Sequence, residues 1–165
     1  MEKIRVENLT KIFGKNPKKI LAMLDMGMKR EEIFKKTNHT VGIGDVSFSV
    51  NEGETFVIMG LSGSGKSTLI RCLNLLNKPT AGKIFVDDEN ILDYDNKQLR
   101  EFRRQKIAMV FQHFGLFSHK SVIENVEFGL EIRGISKEDR FIKSKEMIKS
   151  VGLEGWEDYQ ISELS

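Results

Sequence analysis

Alternating and continuous apolar runs divide this chain into predicted strands. Residues 2–8 and 45–50 alternate apolar and polar positions and predict half-buried strands, the first of them at a sheet edge. Two continuous apolar runs, 55–59 and 107–111, predict strands buried on both faces, as in a parallel sheet. A shorter strand is predicted over 83–86, before an acidic turn.

Helical patterns occupy most of the remaining sequence. The lysine-rich segment 15–40 predicts an inserted helical element, with short helices over about 17–26 and 29–37. The helix predicted after residue 68 has one apolar face, formed by Leu69, Ile70, Leu73 and Leu76. Capping side chains begin three more helices, over 96–104 after Asp95, from Ser121 to about Arg133, and from Ser136 to about Gly152. The pattern therefore predicts an α/β core with a small antiparallel β layer, followed by a helical segment.

Residues 60–68, Gly-Leu-Ser-Gly-Ser-Gly-Lys-Ser-Thr, carry the strongest chemical signal. They fill every fixed position of G-x-x-x-x-G-K-[ST], the phosphate-binding P-loop, and lie between a predicted strand and a predicted helix. Glycines let the backbone turn sharply and approach a phosphate closely, and the amides of 63–68 can form a nest for an anion. The helix N-terminus adds positive potential. The alternative, a glycine-rich turn that binds nothing, is disfavoured by both spacing and flanks.

The P-loop assigns candidate roles to individual side chains. Lys66 is expected to reach the β- and γ-phosphates of a nucleotide, and Ser67 to place a hydroxyl on Mg²⁺. The predicted nucleotide-binding positions of the loop are Gly60, Ser62, Gly63, Ser64, Gly65, Lys66, Ser67 and Thr68.

Composition narrows the class of protein. The 165 residues suit one domain, and 26 Lys and Arg against 24 Asp and Glu are interspersed, so no nucleic-acid partner is expected. A lone cysteine, Cys72, excludes an intramolecular disulfide and is predicted to be a small packed thiol. No apolar run approaches the ~18 residues of a membrane span, and the start is typical of a strand rather than a signal peptide. A cytoplasmic protein is expected, with any membrane role through a partner.

With these motifs in place, the chain resembles the ATP-binding subunits of ABC transporters. It looks most like the subfamily that energises uptake of glycine betaine, proline, carnitine or choline. The family resemblance lies in residues 6–11, in 60–68 and in 109–112, Met-Val-Phe-Gln. The subfamily resemblance lies in the 15–40 insertion and in the residue sequences of 56–68 and 103–112. It implies a P-loop NTPase fold of the ABC type, with ATP and Mg²⁺ as ligands.

The resemblance also implies roles outside the P-loop. Phe13 matches the aromatic residue that stacks on adenine; the alternative is a phenylalanine packed under the inserted helices. Gln112 matches the glutamine that reaches Mg²⁺ or the attacking water, and its alternative is a surface amide. Lys66 and Gln112 are thus the candidate catalytic residues, and Ser67 and Gln112 the candidate metal ligands.

Partners follow from the same resemblance. A second ATP-binding subunit is expected to complete an ATP sandwich, and a membrane-spanning permease to contact the loop after Gln112, which contains Phe114, Leu116 and Phe117. Such a subunit would lie on the inner face of the cell membrane. The alternative for the loop is self-packing. His113 and His119 are predicted to be polar loop residues.

The resemblance implies that residues 1–165 are an incomplete nucleotide-binding domain, because Leu164 and Ser165 match only the start of the family's signature motif. ATP binding without appreciable hydrolysis is therefore expected, in a subunit of an osmolyte importer. The alternatives are a non-hydrolysing ATP-binding module, a truncated inactive fragment and, less well matched, a small kinase. The expected parts of this incomplete nucleotide-binding domain are the helical insertion at 15–40, the strand, P-loop and helix at 55–76, the strand and glutamine loop at 107–119, and the helical segment at 121–165.

Overall fold

The computed structural model describes residues 1–111 and 115–164. Two compact units make up the chain, Met1–Leu99 and Arg100–Ser165. The first contains a sheet, a helical insertion and the P-loop with its helix; the second is helical.

A four-stranded antiparallel sheet forms the first unit. Its strands are β1 (Glu2–Phe13), β2 (Thr40–Asn51), β3 (Ala81–Val86) and β4 (Glu89–Asn90), in the order β2-β1-β3-β4. The antiparallel layer is as predicted, but the edge position predicted for residues 2–8 is wrong. β1 is central because β2 and β3 pair with its two sides, and alternation along one strand does not reveal how many neighbours it has.

Residues 15–40 contain short helical elements near the two predicted positions, and these elements cover part of the sheet. A 3₁₀ turn at Pro17–Ile20 leads into α1 (Leu21–Asp25), and α2 (Arg30–Thr37) follows. One buried cluster joins the insertion to β1 and β2, and its members are Ile12, Ile20, Ile33 and Val41. Burial of these side chains fixes the insertion on the sheet.

The helix after the P-loop is α3 (Lys66–Leu73), shorter than the pattern predicts. Leu69 and Cys72 are its buried residues, whereas Ile70 and Leu76 are exposed. The apolar face predicted from Leu69, Ile70, Leu73 and Leu76 is therefore only partly right. The helix stops early because Leu75 adopts a positive φ of 55°, outside the helical region.

The two continuous apolar runs are not strands. Residues 55–59 and 107–111 have neither strand nor helix structure, and Val57, Met59 and Val110 are 67, 85 and 96% exposed. A strand exists only where a neighbour pairs with its backbone, and no strand of the described residues, 1–111 and 115–164, pairs with either run. The strand predictions for both runs are thus not met here.

The caps of the remaining helices are as predicted. α4 (Asn96–Gln105) begins where Asp95 accepts hydrogen bonds from the amides of Lys97 and Gln98, at 2.7 and 2.8 Å. In the second unit, α5 (Val122–Ile132) begins at a Ser121–Glu124 capping box, and α6 (Lys137–Ser150) begins at Ser136. Val122, Ile123 and Ile148 join α5 and α6 in a buried cluster.

Candidate functional site

The three glycines of the P-loop adopt backbone conformations that other residues rarely take. The φ angles of Gly60, Gly63 and Gly65 are 153°, 79° and 106°. All three lie in the left-handed range, where a Cβ would be strained. The loop conformation thus requires glycine at these positions, as the motif predicts.

Gly65 also brings the loop onto the sheet. A Cβ at Gly65 would lie 2.2 Å from the backbone oxygen of Gly42 in β2, which leaves no room for any side chain. At the other end of the loop, a Cβ at Gly60 would lie 3.0 Å from Oγ of Ser64. The P-loop is therefore seated against β2 at its helical end.

The Lys66 ammonium lies over the loop. Its Nζ donates to the backbone oxygens of Gly60 and Leu61, at 2.7 and 2.8 Å. A bound phosphate would offer stronger, charged acceptors in place of these carbonyls. The lysine is thus already held beside the loop that the motif assigns to phosphate.

The first amides of α3 are arranged for an anion. The amide of Leu69 bonds to the oxygen of Gly65 at 2.9 Å, so the helical hydrogen-bond pattern begins only there. Amides that precede it, of Lys66, Ser67 and Thr68, belong to the helix N-terminus and have no helical partner. The C-terminal end of the loop thus presents free amide donors at a helix N-terminus together with the hydroxyl of the exposed Ser67.

Phe13 lies at the end of β1, beside the P-loop helix. It pairs with Thr40 of β2, its ring is 39% exposed, and Nζ of Lys11 lies 4.9 Å from the ring centroid. A Cβ at Gly42 would lie 2.8 Å from Cε2 of Phe13 and 3.1 Å from Cγ2 of Thr68. The ring and the last residue of the P-loop therefore flank the same glycine.

His39 ties together the two ends of the insertion just beyond Phe13. Its Nδ1 lies 2.9 Å from the oxygen of Thr37, and its Nε2 lies 2.7 Å from the oxygen of Lys15. Gly14 makes room for this ring, because a Cβ there would lie 2.2 Å from Cδ2 of His39.

The buried thiol of α3 is unsuited to act as a nucleophile. Cys72 is a free, fully buried cysteine. Burial raises the pKa of the Cys72 thiol to about 11, against a smaller opposing effect from Lys11. A protonated thiol is a weak nucleophile, so Cys72 fills space, as the sequence predicts.

The structure describes only part of the predicted glutamine loop. Gln112, His113 and Phe114 lie outside the described residues. Phe117 packs edge-on against Phe128, with ring centroids 4.6 Å apart, and exchanges hydrogen bonds of 2.8 and 3.1 Å with the side chain of Asn125. For Phe117 this geometry fits the self-packing alternative, whereas Leu116 is exposed.

Sequence reasoning missed two residues that shape the surroundings of Phe13. The first is Gly42, although a glycine inside a strand pattern signals close approach of another group. The second is His39, for which the sequence offers no signal, because its partners are backbone carbonyls.

Two further features of the described residues concern metal ions and membranes. In 1–111 and 115–164, no group of three or more His, Cys, Asp or Glu side chains is arranged for a metal ion. No helix within those same ranges has the length and apolar content needed to cross a bilayer.

Comparison with known proteins agrees with this geometry. The family model described as "ABC transporter" matches residues 43–165. The chain is 53% identical to the glycine betaine transport ATP-binding protein OpuAA of Bacillus subtilis, over 99% of this chain and 39% of that protein. It is 45% identical to the glycine betaine/proline betaine transport system ATP-binding protein ProV of Escherichia coli, over 99% of this chain and 41% of that protein. The chain thus spans about two fifths of the length of these relatives.

A solved structure is also similar. The dimeric post-hydrolysis structure of the ATP-binding cassette MJ0796, bound to ADP and Pi, superposes with a TM-score of 0.77 at 30% identity. The match covers 98% of this chain and 63% of the other. The α/β P-loop NTPase fold predicted from the sequence is confirmed by this likeness.

Proposed function

The chain belongs to the ABC transporter family, and from that premise we propose that it is part of the ATP-binding subunit of an importer. In such a subunit, ATP binding and hydrolysis are coupled to solute uptake. The solute we propose is glycine betaine or a related quaternary amine or proline osmolyte. Support for this class comes from the relatives OpuAA and ProV, which are ATP-binding proteins of glycine betaine and of glycine betaine/proline betaine transport.

One observation carries the proposal of nucleotide binding. The P-loop rests against β2 at Gly42, and the same glycine lies between the ring of Phe13 and the methyl group of Thr68. A phosphate-binding loop and a half-exposed aromatic ring on adjoining elements suit the two ends of one nucleotide. We therefore assign the triphosphate to residues 60–68 and the adenine to the face of Phe13.

The residues of the loop would hold the phosphates without moving far. The amides of 63–68 would donate hydrogen bonds to phosphate, that of Ser64 in place of its present bond to the Leu61 oxygen. Lys66 would exchange its two carbonyl partners for phosphate oxygens. Ser67 offers an exposed hydroxyl of the kind that Mg²⁺ accepts together with phosphates and water. Mg²⁺ would supply neutralisation of charge on the β- and γ-phosphates. The assignment of Gln112 as a second oxygen ligand rests on the resemblance.

We expect these 165 residues to bind MgATP but to release phosphate very slowly. Phosphoryl transfer needs several charged and orienting groups at once, and none of the groups assigned here is a carboxylate base. A second ATP-binding subunit is proposed to complete the site. A permease is proposed to contact the loop after Gln112, placing the subunit on the cytoplasmic face of the membrane. The alternative function is a non-hydrolysing ATP-binding module.

Calorimetric titration with MgATP tests the proposal. Lys66→Ala should abolish saturable binding, since it removes the charge beside the loop, whereas Lys83→Ala on β3 should leave binding unchanged. Circular dichroism of all three chains checks that folding is equal. Equal affinity of the Lys66→Ala and wild-type chains would contradict the P-loop assignment.

Phosphate assayed in the same samples separates the remaining alternatives. Binding without phosphate release fits a half-site or a non-hydrolysing module. Turnover that is lost in the Lys66→Ala chain would overturn the expectation of slow release.

A further inference from the structure

Gly42 lies where two groups of the proposed site converge. A Cβ at this position would lie 2.8 and 3.5 Å from Cε2 and Cδ2 of Phe13, and 3.1 Å from Cγ2 of Thr68. Contacts below about 3.0 Å do not persist, so one of the neighbours would have to move. The Phe13 ring thus occupies space that a side chain at position 42 would need.

The backbone of Gly42 does not itself require glycine. Its φ is not in the left-handed range, in contrast to Gly60, Gly63 and Gly65. An alanine is therefore compatible with this strand position and would even favour the extended conformation slightly. The reason for glycine at position 42 lies in the neighbouring side chains rather than in the local chain conformation.

The two neighbours differ in how easily they can move. The Phe13 ring is partly exposed at the end of β1 and can rotate about its side-chain bonds. Thr68 belongs to α3, whose position is fixed by the contact of Gly65 with the Gly42 oxygen. A methyl group at position 42 would therefore displace the ring rather than the helix.

We propose that Gly42 is a specificity-determining positioning residue: it holds the Phe13 ring in the orientation that accepts the base of the nucleotide, without contributing to phosphate binding. This inference rests on the proposed stacking of adenine on Phe13. It separates recognition of the base, through Gly42 and Phe13, from recognition of the phosphates, through the P-loop.

A matched pair of glycine substitutions tests the proposal. Gly42→Ala adds a methyl group against Phe13, whereas Gly44→Ala, two residues along β2, adds one that meets only Val41 and Arg30 at 3.7 and 3.9 Å. The ligands are MgATP, which has a base, and magnesium tripolyphosphate, which lacks one. Affinities are measured by calorimetry, and melting temperatures check folding.

We expect Gly42→Ala to weaken MgATP binding about five- to tenfold, the lower part of what one base stack contributes. Tripolyphosphate affinity and melting temperature should stay unchanged. Gly44→Ala should leave both affinities unchanged. Equal weakening of ATP and tripolyphosphate by Gly42→Ala would overturn the proposal, because the P-loop rather than the ring would then have moved.

A double variant isolates the role of the ring. If Gly42 acts through Phe13, the chain with Phe13→Ala and Gly42→Ala should bind MgATP no more weakly than Phe13→Ala alone. Additive losses would contradict the proposal. If the wild-type chain binds MgATP no more tightly than magnesium tripolyphosphate, adenine stacking is refuted and the P-loop assignment stands. A chain that binds neither ligand would refute the proposed function itself.

Discussion

The antiparallel sheet and the two apolar segments, 55–59 and 107–111, share residue types that favour strands but differ in structure. Both are rich in branched and aromatic residues, which favour strands. β1 has a neighbour on each side and its Val6 and Leu9 are buried, whereas both segments lack strand partners in the described parts of the chain and carry exposed side chains. An apolar pattern thus indicates a preference for burial. Whether the segment forms a strand depends on a second strand, distant in sequence, that pairs with its backbone.

The largest effect should come from truncating a buried leucine of the sheet. Leu9→Ala removes a fully buried side chain and should lower the free energy of unfolding of the first unit by about 2–5 kcal/mol. Leu61→Ala makes the same chemical change at a side chain that is 86% exposed, and should cost less than about 0.5 kcal/mol. Urea denaturation measures both variants. Similar losses would show that the loop around Leu61 is as well packed in solution as the sheet.

A smaller effect should follow from removing a helix cap, an element encoded by neighbouring residues alone. Ser121 Oγ accepts the amide of Glu124, and Glu124 accepts the amide of Ser121 at 2.8 Å. Ser121→Ala should destabilise the second unit by about 1 kcal/mol. Thermal unfolding followed by circular dichroism measures the loss, and Ser150→Ala, at the C-terminal end of α6, is the control.

The same cap predicts a pH dependence. The backbone hydrogen bond from Ser121 is the main cause that holds the pKa of the Glu124 carboxyl below its ordinary value. Because the folded pKa is the lower one, this stabilisation is present above the unfolded pKa near 4.5 and is lost as pH falls through the folded pKa. Glu124→Gln should flatten the dependence of melting temperature on pH as the pH falls below about 4.5. An unchanged slope would contradict the cap's role.

These cases show which features could be predicted from the sequence. Caps at Asp95 and Ser121 were predictable because donor and acceptor are two or three residues apart. The glycines of the P-loop were predictable because their φ angles are local requirements. The central position of β1 was not, since β3 lies about 80 residues further along the chain. Gly42 was missed for the same reason: Phe13 and Thr68 reach it only through tertiary structure.

The smallest change in stability is expected in the apolar segments themselves. Val57→Lys and Val110→Lys place a charge at side chains that are already solvated, so each should change the free energy of unfolding by less than about 0.5 kcal/mol. Self-association should decrease, because exposed apolar side chains promote contact between chains. Light scattering at several concentrations measures association, and urea denaturation measures stability.

Val41→Lys is the matched control, because Val41 of β2 is buried against the insertion. A lysine there would bring its charge into an apolar cluster and should destabilise the first unit strongly, because burying a charge is costly. If Val57→Lys were as damaging as Val41→Lys, residues 55–59 would be packed in solution, and the contrast between sheet and segment would fail. If only Val41→Lys is damaging, the buried position of Val41 against the insertion, rather than its residue type, distinguishes it from Val57.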